Sequence, residues 1–254
     1  QIKEGSLIVC ISYSGNTEEA LSSLDKALEK NLTVACITTG GKMQKICEDN
    51  NLPWIKIPSG LQPRMALGYK FIALLRLLSN SGVIPDTTEE ITETANLLKT
   101  EKLEKEGKKL AQKLKGKIPL VYSSNSFKAL ARIWKIKFNE NSKTPAFFNY
   151  FPELNHNEMV GFTNIPKGVN LHILIIRDKN ENIKNIKRME LFAKLVKKNK
   201  VGVDFIDLES GSPLFKIFSN TILGDWVSYY LALEYKTDPN PVEIVEEFKK
   251  NLVR

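Results

Sequence analysis

The chain has 254 residues, 42% of them hydrophobic, a formal net charge of +8 and three cysteines. It carries no uninterrupted apolar run long enough for a bilayer-spanning helix and no secretory pattern, and Cys10, Cys36 and Cys47 lie in or beside apolar runs without metal spacing, so reduced core cysteines, a cytoplasmic location and no membrane partner are expected. The lysines spread along stretches 99–117 and 184–200, mixed with Glu and Asn and free of interleaved aromatics or a zinc or helix-turn-helix pattern, which predicts solvated helix faces and no nucleic-acid partner.

In chain order, the apolar run Leu7–Ile11 predicts a strand, Ser12–Thr17 a polar turn, and Ala20, Leu21, Leu24 and Leu28 one face of a helix. Leu32–Thr38 reads as the next strand. Gly40-Gly41 turns into a helix running through Asn50, and Pro53–Ile57 is a short strand. Pro63–Leu78 reads as an apolar helix, and residues 87–114 as one long charged helix. A second strand-turn-helix follows: Ile118–Tyr122, the polar turn Ser123–Ser126, and Phe127–Phe138. Pro145–Phe151, Val169–Ile176 and Val201–Leu208 are further strands, and Ile183–Asn199, Leu214–Tyr235 and Pro241–Leu252 further helices. This alternation predicts an α/β protein with parallel sheets flanked by helices. It divides into a first module over residues 1–85, a linker helix over 86–116, and a second module with C-terminal helices over 117–254.

The most informative stretch is Ile11-Ser12-Tyr13-Ser14-Gly15-Asn16-Thr17-Glu18-Glu19. A turn between a strand and a helix N-terminus offers hydroxyls and free backbone N–H groups where the helix dipole favours an anion. Ser12, Ser14 and Thr17 can all face one phosphate. Helix capping by itself would use one side-chain oxygen, not three. The turn lacks a Gly-Lys-Ser/Thr ending, so it is not a nucleotide P-loop, and a small phosphomonoester suits it better than a triphosphate. Downstream, Glu140 stands at a helix end before a strand and His156 in a polar turn after that strand. Singly, each reads as an ordinary surface or structural residue; together they form a usable acid–base set. His172, inside an apolar strand, reads as structural.

The run around Ser12–Thr17 resembles the sugar isomerase (SIS) domain signature. SIS domains are flavodoxin-like α/β modules that bind phosphosugars, so the resemblance implies two such modules. The first is expected to be N-terminally incomplete, because nothing before Ser12 matches the Gly-Met-Gly-Gly-Ser type of strand–turn that opens family members. The segment Asn139–Gly161, with its Phe-Pro-Glu-Leu-Asn-His-Asn-Glu run, and Gln62–Tyr69, with Pro-Arg-Met-Ala-Leu-Gly, are similar to the bifunctional phosphoglucose/phosphomannose isomerase family of the phosphoglucose isomerase superfamily. The likeness extends over essentially the whole chain.

The resemblance implies an aldose–ketose isomerase for glucose 6-phosphate, mannose 6-phosphate and fructose 6-phosphate, working as a homodimer with a shared active site and needing no metal or cofactor. It assigns phosphate binding to Ser12, Ser14 and Thr17, the proton shuttle to Glu140, enediolate stabilisation to Arg64 and ring opening to His156, which in family members reaches across the dimer interface. A lysine of the last helix also takes part; Lys249 is the choice, Lys250 the alternative. The chemistry wants these types: one carboxylate can move a proton between C1 and C2, a guanidinium gives directed donors without losing its own proton, and an imidazole exchanges protons near neutrality. The competing expectation is a non-catalytic phosphosugar-binding module, which needs the turn and not Glu140.

Overall fold

The computed structural model describes residue 3 and residues 5–252; Gln1, Ile2, Glu4, Val253 and Arg254 lie outside them. Two compact units divide the chain, Gln1–Thr92 and Glu93–Arg254.

The first unit holds a three-stranded parallel sheet in the order β1 (Leu7–Ser12), β2 (Thr33–Thr38), β3 (Trp54–Lys56). Helices α1 (Glu18–Glu29) and α2 (Gly41–Asp49) cover one face, where Cys10, Leu24, Ala27, Cys36, Met43 and Cys47 form the core. Helix α3 (Leu67–Asn80) covers the other, its Ala73 packed over Ile37 and Ile57. The period-two alternation of β2 explains both faces: Cys36 points one way and Ile37 the other. The three cysteines are free and buried. Helix α3 starts four residues later than Pro63, because Gln62–Ala66 closes as successive four-residue turns, Met65 N donating to Gln62 O (2.8 Å) and Ala66 N to Pro63 O (3.4 Å).

The expected single helix over 87–114 is two helices, α4 (Thr88–Leu97) and α5 (Lys102–Leu114). The break falls at Lys99–Glu101, where Thr100 Oγ1 accepts from Lys102 N (3.2 Å) and starts a new helix.

The second unit has four parallel strands in the order β5 (Phe147–Phe151), β4 (Ile118–Ser124), β6 (Leu171–Arg177), β7 (Gly202–Asp207). Ser123 and Ser124 belong to the end of β4 and not to a turn; a 3₁₀ turn, Asn125–Phe127, leads into α6 (Lys128–Glu140). Helices α5, α6 and α9 (Pro213–Glu234) pack on one face around Leu110, Leu130, Trp134, Phe138, Val227 and Leu231. Each fully buried aliphatic side chain there contributes about 1.5–3 kcal/mol. Helix α9 can approach closely because Gly224 leaves room for the Trp134 ring, whose indole N–H donates to the Asn220 carbonyl (3.0 Å) and Oδ1 (2.9 Å). On the other face, short α7 (Glu158–Gly161) and α8 (Ile183–Lys198) enclose Tyr122, Phe151, Leu154, Phe162 and Phe192. The last helix is α10 (Glu243–Leu252). None of the described helices is long and apolar enough to cross a membrane.

Candidate functional site

In the first unit the hydroxyls of Ser12 and Thr17 converge within the polar turn, while Ser14 is exposed and stands apart from them. Ser12, the last residue of β1, is buried; its Oγ accepts from Gly15 N (3.1 Å) and lies 2.9 Å from Thr17 Oγ1. Ser14 Oγ accepts from Asn16 N (3.2 Å). Thr17 stands at the N-cap of α1 without a side-chain bond to the helix, so its hydroxyl serves Ser12 and not the cap. The turn sits directly over the first turn of α1, where backbone N–H groups attract anions.

A second loop clamps it. Met43 N donates to Gly15 O (2.9 Å), Lys42 N to Asn16 Oδ1 (3.0 Å), and Thr39 through both N and Oγ1 to Tyr13 O (3.0 and 2.7 Å). Gly15 has φ +68°, and a Cβ there would lie 1.8 Å from Gly40 O; at Gly41, φ +70°, a Cβ would lie 2.4 Å from Ser14 O. Gly40-Gly41 is therefore part of the turn's support, a role that the sequence reading missed. The signal was present: two glycines directly after the neighbouring parallel strand, where the next loop must pass close to the first. Tyr13 is the other omission. Its hydroxyl accepts from Leu61 N (2.9 Å), three residues before Arg64. The fold thus ties the Pro-Arg-Met segment to the middle of the polar turn. Arg64 is half-buried, and its Nη1 donates to Gln62 Oε1 (3.4 Å).

In the second unit Glu140 ends α6 and is half-buried. Its neighbours lock the segment: Asn139 Nδ2 donates to Thr144 O (2.8 Å), Asn141 Nδ2 to Ser228 Oγ on α9 (2.9 Å), and Ser142 Oγ to Phe138 O (2.8 Å). Lys143 Nζ donates to the Glu140 carbonyl (2.6 Å). A groove of 350 Å³ at this end of the unit is lined by Gly116, Lys117, Ser142, Lys143, Pro145 and Tyr235. Ile118 opens β4 and Lys117 precedes it, so Glu140 lies toward the N-terminal edge of the sheet.

His156 lies toward the opposite edge. It is exposed, follows β5, and its backbone N donates to Glu153 O (3.0 Å). The five residues of β5 span roughly 17 Å. The unit does not bring Glu140 and His156 together. Two residues on, Glu158 accepts from the Tyr122 hydroxyl through Oε1 and from Asn149 Nδ2 through Oε2. Burial, and secondly the bond to Glu158, push the Tyr122 hydroxyl well above its ordinary pKa. Lys249 is exposed on α10 and pairs with Glu246 Oε1 (2.9 Å).

His172 is buried at the start of β6 with Nε2 2.9 Å from Asp204 Oδ2 and Nδ1 3.4 Å from Lys117 Nζ. It braces β6 against β7, as a structural histidine would. Among the described residues no group of three or more His, Cys, Asp or Glu side chains could hold a metal ion.

Parallel sheets, the hydroxyl-rich turn and the sequence of the second unit define a SIS-domain protein: residues 103–252 match the bacterial phospho-glucose isomerase C-terminal SIS domain. The fold is also that of the C-terminal domain of glucosamine-fructose-6-phosphate aminotransferase from Francisella tularensis (TM-score 0.73, 20% identity, 94% of this chain and 74% of that one). A bifunctional phosphoglucose/phosphomannose isomerase from Caldicellulosiruptor bescii is 42% identical over 97% of this chain and 76% of its own length. One from Aquifex aeolicus is 36% identical over the same shares. The chain belongs to the bifunctional phosphoglucose/phosphomannose isomerase family.

Proposed function

We propose that the protein is an aldose–ketose isomerase that interconverts glucose 6-phosphate and mannose 6-phosphate with fructose 6-phosphate through a cis-enediolate. The observation that carries this reading is the 42% identity, over 97% of the chain, to a protein named for both isomerase activities, together with the converging hydroxyls of Ser12 and Thr17 over a helix N-terminus.

In this reading Ser12, Ser14, Thr17 and the first N–H groups of α1 hold the sugar phosphate. Glu140 takes the proton from C2 of the aldose and returns it to C1, leaving the ketose. Removal of the C2 proton erases the difference between glucose and mannose, so one base serves both. Arg64 offers its guanidinium to the enediolate oxygen, a stabilisation of about 3 kcal/mol for a positioned donor. His156 exchanges protons during ring opening. Lys249 joins the site from α10. The placement of Glu140 and His156 toward opposite edges of one sheet favours a homodimer in which His156 serves the neighbouring subunit's pocket. A cytoplasmic location accords with three free, buried cysteines.

The test incubates fructose 6-phosphate with the protein in deuterated water and follows deuterium by NMR into C1 of the ketose and C2 of the aldose phosphates formed from it. Exchange is expected with the wild-type protein and is expected to vanish in Glu140→Gln while phosphate binding persists. Undiminished exchange in that variant removes Glu140 from its role; absence of exchange in the wild type, with phosphosugar still bound, returns the chain to a binding module.

A further inference from the structure

The loop that carries His156 is pinned on both sides of the imidazole. Before it, Leu154 is fully buried against Tyr122, Phe151 and Phe192. After it, Asn157 Oδ1 accepts from Glu158 N (2.5 Å) while its Nδ2 donates to Glu153 Oε1 (2.8 Å). Glu158 then reaches down to the sheet. Its two carboxylate oxygens each receive one donor, and those donors are register partners on adjacent strands, Tyr122 of β4 and Asn149 of β5. Tyr122 is itself fully buried and packed edge-on to Phe151 and Phe192, so its hydroxyl cannot shift without moving the core.

A surface carboxylate that only complements a helix N-terminus would need none of this. Helix α7 has four residues, too short for a dipole to demand it. Charge-assisted bonds to both oxygens in a half-buried setting are directional and costly to break. They set the loop at a fixed height over β4 and β5, two residues from the imidazole.

We propose that Glu158 is a positioning residue for His156: its carboxylate, gripped by Tyr122 and Asn149, fixes where the imidazole stands for proton transfer to the sugar ring oxygen. This rests on the ring-opening role given to His156 above. Glu158 does not touch substrate; it acts through the loop.

The experiment is a double-mutant cycle read by steady-state kinetics on fructose 6-phosphate in the intact protein. A displacement of about 1 Å at a reacting group costs up to about 100-fold, so Glu158→Ala is expected to lower kcat roughly 10- to 100-fold with KM little changed. Glu158→Gln is expected to recover most of that loss, since its carbonyl accepts from Asn149 and its amide donates to the Tyr122 oxygen, which can accept. In a His156→Ala background, Glu158→Ala is expected to add almost nothing. A carboxylate that merely stabilises the fold would lower the unfolding temperature without this suppression. If Glu158→Ala does not fold, Tyr122→Phe carries the same test with a smaller loss. Wild-type turnover in His156→Ala overturns the role of His156 and the proposal with it. Impaired His156→Ala alongside normal Glu158→Ala, or losses that multiply in full, overturns the positioning role alone.

Discussion

Gly15→Ala is the sharpest probe of the polar turn. Residue 15 has φ +68°, where an L side chain is strained by about 1 kcal/mol or a little more. The larger effect is steric. The new Cβ would stand 1.8 Å from Gly40 O and 2.8 Å from Thr38 Oγ1. Both contacts are impossible, and the first is with backbone, so Gly40 and the loop 39–41 must retreat from Gly15 by more than an ångström. That retreat breaks the bond from Thr38 Oγ1 to Gly40 O (3.0 Å) and pulls on the bond from Met43 N to Gly15 O (2.9 Å). Forced overpacking costs about 1–3 kcal/mol, and one lost hydrogen bond about 1 kcal/mol. Gly82 is the control: its φ is +70° and nothing lies within 4 Å of a Cβ built there. Backbone strain is thus equal in the two variants and the clash is present in one. We expect Gly15→Ala to be destabilised by about 3 kcal/mol more than Gly82→Ala, roughly 150-fold in the unfolding equilibrium. Urea denaturation of both variants measures the difference, and calorimetry with inorganic phosphate should show weaker binding only for Gly15→Ala. Equal unfolding free energies for the two variants would refute the view that Gly40-Gly41 supports the turn.

Two other outcomes follow from the second unit. Burial holds the His172 pKa below its ordinary value, outweighing the bond to Asp204 that raises it, with Lys117 and Lys113 also lowering it; the unfolded chain therefore binds that proton more tightly, and stability should be full above about pH 6.5 and decline as pH falls below it. Denaturation between pH 5 and 7.5 should show this slope in the wild type and a flatter one in His172→Gln; the same slope in both would assign it to other groups. For the proposed shared site, mixing equal amounts of inactive Glu140→Gln and inactive His156→Ala under conditions that exchange subunits should regenerate about a quarter of the activity of the same amount of wild-type protein, because about half of the dimers are then mixed and one of the two pockets in each mixed pair keeps both groups; a mixture that stays inactive although heterodimers form would place the two residues in the same subunit's pocket.

Regular elements were legible because their signals are local. The period-two and period-3.6 patterns around Cys10, Leu24, Cys36 and Trp134 report burial one residue at a time, and the structure puts all four in the core. What the pattern could not carry is a contact made at a distance. The Pro63–Ala66 segment has helical composition, yet it folds as turns next to a backbone N–H that the Tyr13 hydroxyl accepts from Leu61, 48 residues along the chain. Gly40-Gly41 reads as a loop start until Gly15 is seen against it. The charge pattern of 87–114 is continuous across a break made by one threonine hydroxyl.

The same limit governs the site. Sequence order puts Glu140 and His156 sixteen residues apart and so reads as proximity. In a parallel sheet it means the reverse, because a helix end feeding a strand and the loop leaving that strand must lie at opposite edges. Asn139, Asn141 and Ser142 hold the glutamate at one edge, and Leu154 and Glu158 hold the histidine at the other. If, as proposed above, one pocket uses both Glu140 as base and His156 as ring-opening donor, the two come from different copies of this unit; otherwise each copy uses a donor other than His156. Two-fold pairing satisfies the first with the residues as the fold sets them.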